Sequence, residues 1–161
     1  MGVGGLGRDR NQQPVRSERY DTAYFLNACE GFEEFIASEG VNLSRRLSQS
    51  FEIARVTPGM RVLDVGCGRG EILHHCHALG VTAYGVDYAP TAVQIARQAG
   101  RFVYQADAKH LPFPSAFFDR VLMFDLVEHL HPWELRRALA DARRVLKPNV
   151  LLVIHTAPNL W

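Results

Sequence analysis

Arg61-Val-Leu-Asp-Val-Gly-Cys-Gly-Arg-Gly-Glu71 is the stretch that decides how this chain folds. Arg61 to Val65 is short, alternating and rich in branched apolar residues, which is the pattern of a buried parallel strand. Gly66, Gly68 and Gly70 follow at once, so the strand feeds a turn that needs bare backbone. Beyond them Ile72, Leu73, Cys76 and Leu79 recur at helical spacing. The unit is strand, glycine turn, helix, with the helix N-terminus aimed across the carboxyl edge of a sheet, where open α/β sheets bind ligands.

The glycine spacing narrows the ligand. A dinucleotide fingerprint reads G-x-G-x-x-G, whereas this run reads G-x-G-x-G behind an acid, Asp64, at the strand's end. A carboxylate there is a poor neighbour for a pyrophosphate, which disfavours a nicotinamide-dependent oxidoreductase, and it suits a ligand with a cationic amino-acid end. The run resembles motif I of the class I S-adenosylmethionine-dependent methyltransferases, whose first strand ends in an acid followed by G-x-G-x-G.

Working outward, the chain of 161 residues fits one domain, and 47% apolar with 22% charged residues is ordinary globular composition. A net charge of +1 gives no electrostatic case for nucleic acid as the main partner. Cys29, Cys67 and Cys76 are odd in number and lack C-x-x-C spacing, which argues against a disulfide framework or a zinc ribbon and leaves a cytoplasmic setting as the default. No apolar run is long enough for a membrane span. Residues 1–16 have little to bury and are expected to be a disordered tail, with one domain over 17–161 made of a helical cap (17–57) and an α/β core (58–161). In the cap, Tyr24, Phe25, Ala28, Phe32, Phe35 and Ile36 share a helical face that Gly40 stops, and a second helix follows Asn42 with Leu43, Leu47, Phe51 and Ala54. Two such helices must pack on the core or cover its carboxyl edge, and the methyltransferase resemblance, in which N-terminal helices often close over the cofactor, implies Tyr20, Tyr24 and Arg45 as candidates for contact there.

After the first helix of the core, Thr82 to Val86 reads as a strand ending at Asp87, about twenty residues past the glycines, where nucleoside-binding folds place the acid that takes the ribose hydroxyls. Capping of the next helix, which opens at Pro90, is the competing role for that acid. That helix is expected to run to Ala99, and Arg101 to Gln105 to form the third strand. The fourth strand is read over Asp119 to Phe124, a helix begins at Pro132, Lys147-Pro148-Asn149 ends it, and Val150 to His155 forms the fifth strand.

The methyltransferase resemblance extends across this framework. It implies that Asp107-Ala108 receives the adenine amine, and the segment from Leu111 to Asp119 resembles the L-P-F-x-x-x-x-F-D loop of enzymes akin to those of quinone biosynthesis, implying a wall for the adenine. It implies a Rossmann-like α/β fold: an open, mostly parallel sheet in the order 3-2-1-4-5, with helices on both faces and two N-terminal helices. The family's last hairpin, strands 7 and 6, has no residues here, so a truncated chain or an apolar fifth strand open to association is expected. The cofactor set it implies is Asp64, Gly66, Cys67, Gly68, Gly70, Asp87, Tyr88, Asp107, Ala108 and Asp125, with Cys67 as packing.

The function expected is methyl transfer from S-adenosyl-L-methionine to a small-molecule or lipid-like acceptor by direct displacement. A cofactor-binding domain without catalysis is the alternative. Asp125, Glu128 and His129 are the catalytic candidates, and His155 and Tyr24 the substrate-contact candidates. Asp125-x-x-Glu128-His129 is an imperfect match to the E-x-x-E-H metal ligands of some O-methyltransferases, so a divalent cation there is considered but not favoured. His74, His75 and His77 read as a solvated helix face, since successive helical positions point apart.

Overall fold

A computed structural model of the chain describes residues 13–25, 32–38, 42–98 and 102–156. Residues 1–12 of the expected tail, Ala28, Cys29, Gly40, Ala99, Gly100, Arg101, Leu160 and Trp161 lie outside the described residues, as does the side chain of Phe32. The elements run α1 (Phe32–Ser38), α2 (Arg45–Ala54), β1 (Arg61–Val65), α3 (Glu71–Ala78), β2 (Thr82–Asp87), α4 (Pro90–Ala96), β3 (Val103–Gln105), β4 (Phe118–Phe124), α5 (Pro132–Val145) and β5 (Leu146–His155). Short 3-10 turns cover Ser17–Arg19 and Val127–His129.

The five strands form one sheet in the order β3-β2-β1-β4-β5, and every pairing is parallel. Alternation along β1 sends Val62 to one face and Leu63 and Val65 to the other. On the first face Val62, Leu122 and Val153 pack under Phe51 and Ala54 of α2 and Ile72 and Cys76 of α3, and α4 continues this layer through Val93 and Ala96. On the second, Leu63, Val121 and Met123 meet Ala138, Ala142 and Val145 of α5. Both faces of the sheet are therefore covered, as a parallel sheet requires, the first by α2, α3 and α4 and the second by α5 and the loop before β4.

Helix ends follow local chemistry. Ser44 Oγ accepts from Leu47 N at 3.4 Å to open α2, while Pro90 and Pro132 open α4 and α5 where a missing N–H costs nothing. The carboxylate of Glu134 accepts from the backbone N of His131 at 3.2 Å, closing the start of α5.

Three details depart from the sequence reading. β5 starts at Leu146, straight out of α5, and Lys147-Pro148-Asn149 is absorbed as a bulge: Phe118 pairs with Leu146, but Arg120 pairs with Leu151. Pro148 cannot donate to a ladder and Asn149 sits at φ 59°, so the strand tolerates them only out of register, pinned where Lys147 Nζ donates to Asp119 Oδ1 at 2.6 Å. The loop from Leu111 to Phe118 covers the second face of the sheet where no helix lies, with Phe113 edge-on to Tyr84, Tyr104 and Phe118. Arg144 fastens that loop by donating to the carbonyls of Leu111 and Phe113. Finally, Ile36 is 59% exposed, because α1 turns its neighbour Phe35 under the Arg69 guanidinium.

Gly85 marks the tightest helix-to-sheet approach. A Cβ there would lie 2.8 Å from Leu73 Cδ1 and 2.9 Å from Cys67 Sγ. Gly85→Ala is expected to lower stability by about 1 to 3 kcal/mol through overpacking, read as an earlier urea midpoint; an unchanged midpoint would show that α3 can shift away from β2.

Candidate functional site

The carboxyl ends of β1, β2 and β4 open into a cavity of about 300 Å³ roofed by the segment around Tyr20 to Phe25 and by α2. The glycine turn makes its floor. Gly66, Gly68 and Gly70 all have positive φ, at 78°, 51° and 90°, which is why only glycine serves at these alternate positions. The turn is strapped to β2: Gly66 N and Cys67 N both donate to the Val86 carbonyl, at 2.8 and 3.0 Å, and Gly68 N donates to Asp87 Oδ2 at 2.9 Å. Gly70 does not line the cavity; it is the N-cap of α3, and its N donates to the Cys67 carbonyl.

Asp64 faces this cavity while only 4% exposed, and it forms no salt bridge among the described residues. Burial, and then the carboxylates of Glu71, Asp87 and Asp125, push its pKa up to about 8. A buried acid among acids is costly unless something cationic arrives. Asp87 accepts backbone N–H groups from both sides of the strand end. Oδ1 accepts from Ala89 N at 2.8 Å ahead of α4 and Oδ2 accepts from Gly68 N. Burial raises its pKa, against the opposing pull of the Ala89 and Gly68 N–H groups. Tyr88 and Cys67 also line the cavity, and burial pushes the Cys67 thiol up, consistent with a packing role.

At the β3 side, Asp107 and Ala108 line the cavity. Asp107 Oδ1 accepts from Lys109 N at 2.9 Å, a local turn, while Oδ2 receives the Lys109 ammonium at 3.0 Å. Lys109 also donates to Glu134 Oε1 at 2.8 Å, and Glu134 has no exposed surface. Burial works against the Lys109 charge, but the bonds to Glu134 and Asp107 outweigh it and raise its pKa. Lys109 and Glu134 are cavity residues that the sequence reading missed. The loop from Leu111 to Phe118 is not among the lining, so the adenine wall expected of it is not where the loop packs.

At the far side, Asp125 closes β4 with φ 52° and holds two partners. Arg46 of α2 makes a short ion pair with Asp125 Oδ1, and His155 Nδ1 lies 3.0 Å from the same oxygen. Arg46, not Arg45, lines the cavity; Arg45 is exposed on the other side of α2. His155 is not among the lining; it contacts Asp125 and Arg46, which are. Glu128 Oε2 accepts from Thr156 Oγ1 at 2.9 Å, and His129 sits edge-on to Tyr20, whose phenol pKa is raised by burial. Asp125, Glu128 and His129 thus turn to three different sets of partners. Among the described residues no three His, Cys, Asp or Glu side chains gather as metal ligands would. No described helix is long and apolar enough to cross a membrane.

The family described as "Methyltransferase domain" matches residues 63–154. The demethylmenaquinone methyltransferase of Tropheryma whipplei is 37% identical over 103 residues, covering 62% of this chain and 42% of that protein. The probable tRNA methyltransferase 9B of Mus musculus is 36% identical over 102 residues, covering 61% of this chain and 22% of that one. Among solved structures, a SAM-dependent methyltransferase from Archaeoglobus fulgidus superposes with a TM-score of 0.64 at 29% identity, over 78% of this chain and 59% of its own. The chain spans less than half the length of either curated relative.

The acid at the centre of the cavity has a testable signature. The Asp64 carboxyl titrates near 3.8 when unfolded and near 8 when folded, so between those values the native state holds a proton that the unfolded chain has lost. Stability should therefore fall as pH rises through that window. In Asp64→Asn the fall should be smaller and the variant more stable than the parent at about pH 8, read from thermal midpoints at about pH 5 and about pH 8. Parallel pH profiles for the two proteins would mean that Asp64 is not desolvated.

Proposed function

Since the chain belongs to the class I S-adenosylmethionine-dependent methyltransferases, we propose that it binds S-adenosyl-L-methionine in this cavity and transfers its methyl group to a small-molecule or lipid-like acceptor. One observation carries the placement: Asp64, a buried carboxylate without a cationic partner among the described residues, stands beside Asp87 over a floor of glycine backbone. That set fits the group. Asp64 would take the ammonium of the amino-acid end, Asp87 the ribose hydroxyls, and Asp107 with Ala108 the adenine edge. Gly68 and Cys67 let the ligand approach the turn closely, and Tyr88 flanks the nucleoside.

The bound group supplies an activated methyl on a sulfonium, so an acceptor lone pair forms the new bond to carbon while the electron pair of the carbon–sulfur bond stays on sulfur. What the chain contributes is alignment and exclusion of water. Asp125, Glu128, His129 and Tyr24 border the side left for the acceptor, with His155 holding Asp125 from behind. The ion pair of Arg46 with Asp125 ties α2 to the end of β4, which supports a covering role for the N-terminal helices. Association through the outer edge of β5, where Leu151 and Ile154 are exposed, is part of the same reading.

Calorimetric titration with S-adenosylmethionine and S-adenosylhomocysteine tests the placement. Both should bind, and Asp87→Asn should weaken each by about 1.5 to 3 kcal/mol, the range for hydrogen bonds to a charged group. Binding of neither ligand by the folded protein, or equal affinity in the variant, would remove the ribose assignment.

A further inference from the structure

Tyr20, Tyr24 and His129 come from segments far apart in the chain, and all three line the cavity while only half-buried. Their rings meet near right angles in every pairing: 81° for Tyr20 with Tyr24, 87° for Tyr20 with His129 and 82° for Tyr24 with His129. Centroid separations of 5.0, 5.6 and 6.4 Å keep the three together as the walls of a corner. Rings packed only for core burial would be closed off from the cavity; these border it, and aromatic faces carry negative quadrupole charge that attracts cations.

The charges around the corner point the same way. Each arginine and lysine on the cavity is already committed to acids: Arg46 to Asp125, Arg69 to Glu71, and Lys109 to Asp107 and Glu134. Asp64, Asp87 and Glu128 also line the cavity and form no salt bridge among the described residues. An anionic acceptor would meet acids without cations of their own and only cations that have partners. A cationic one would meet carboxylate and π face together.

We propose that Tyr20, Tyr24 and His129 form a subsite for an onium group, a positively charged nitrogen or sulfur centre. This rests on the methyltransferase reading and deepens it. Two sources carry that chemistry: an amine borne by the acceptor, and the sulfonium of the cofactor itself. Either would gain from three perpendicular rings where an uncharged group of the same shape gains only its burial.

The test uses choline and its uncharged isostere 3,3-dimethylbutan-1-ol as probes, titrated by calorimetry into the chain saturated with S-adenosylhomocysteine. Choline should bind about tenfold more tightly than the isostere, a margin within the range of a desolvated cation–π contact. Tyr20→Phe and Tyr24→Phe should keep that margin, and Tyr20→Leu and Tyr24→Leu should erase most of it, each variant being titrated at an S-adenosylhomocysteine concentration that saturates it. This outcome assigns the corner to the acceptor. If choline binds only the cofactor-free chain, and the Leu variants lose the preference for S-adenosylmethionine over S-adenosylhomocysteine, the sulfonium is the occupant and the onium subsite stands. Equal affinity for choline and isostere, or Leu variants that bind like the parent in both assays, overturns the subsite while leaving the cofactor reading intact. Failure of S-adenosylhomocysteine to bind overturns both.

Discussion

The grip of β2 on the glycine turn is the constraint on which the rest of the site depends. Two N–H groups of the turn converge on the Val86 carbonyl and a third on the Asp87 carboxylate. Those bonds force the turn's backbone into the positive-φ region at Gly66, Gly68 and Gly70, and they set where α3 begins. Asp64 and Asp87 end adjacent parallel strands, so locking the turn between them fixes the two carboxylates relative to each other. Because α3 then lies close over β2, Gly85 has to lack a side chain as well. A single turn thereby couples helix placement, sheet pairing and the spacing of the charges that face the ligand.

The cavity's electrostatics follow from what the fold leaves paired. Lys109, Arg46 and Arg69 each bridge a cavity wall to a different element: Lys109 joins the loop after β3 to α5, Arg46 joins α2 to the end of β4, and Arg69 joins the glycine turn to the backbone of Phe25. These ties use up positive charge in holding the walls together. Part-buried pairs of this kind position segments more than they add net stability, since desolvation offsets much of the attraction. Asp64 and Asp87 are left without a cation of their own, and burial pushes both toward the protonated state.

Much of this was legible in the sequence because the deciding signals are local. The strand and glycine run over Arg61 to Glu71, the acids at Asp87 and Asp107, and the openings of α4 and α5 at Pro90 and Pro132 each rest on a few adjacent residues, and all fall where expected. What stayed hidden is what depends on distant contacts. Arg45 and Arg46 are equivalent to local reasoning, and only the docking of α2 against β4 turns Arg46 inward. Lys109 and Glu134 lie 25 positions apart and become a pair only when α5 packs beside the loop after β3. The L-P-F loop reads as a ligand wall by resemblance, yet its aromatics are recruited to cover a sheet face that lacks a helix. The start of β5 was misplaced because Pro148 and Asn149 look like a stop, and a bulge lets a strand carry them.

Asp64 and Asp87 look alike in sequence but answer different physical questions. Asp87 is satisfied before any ligand arrives, since Gly68 and Ala89 donate to it and it organises the turn and the start of α4. Removing it therefore costs structure at the turn, and on the proposed placement binding as well. Asp64 has no such employment: it is buried at the end of β1 where an apolar residue would pack without penalty, and its neighbours in the cavity are acids. A group that destabilises the empty fold and is held rigidly at the end of a central strand makes sense only through what it meets there. The two acids differ accordingly, one building the turn and the other, on the proposed placement, left for the cationic end of the ligand.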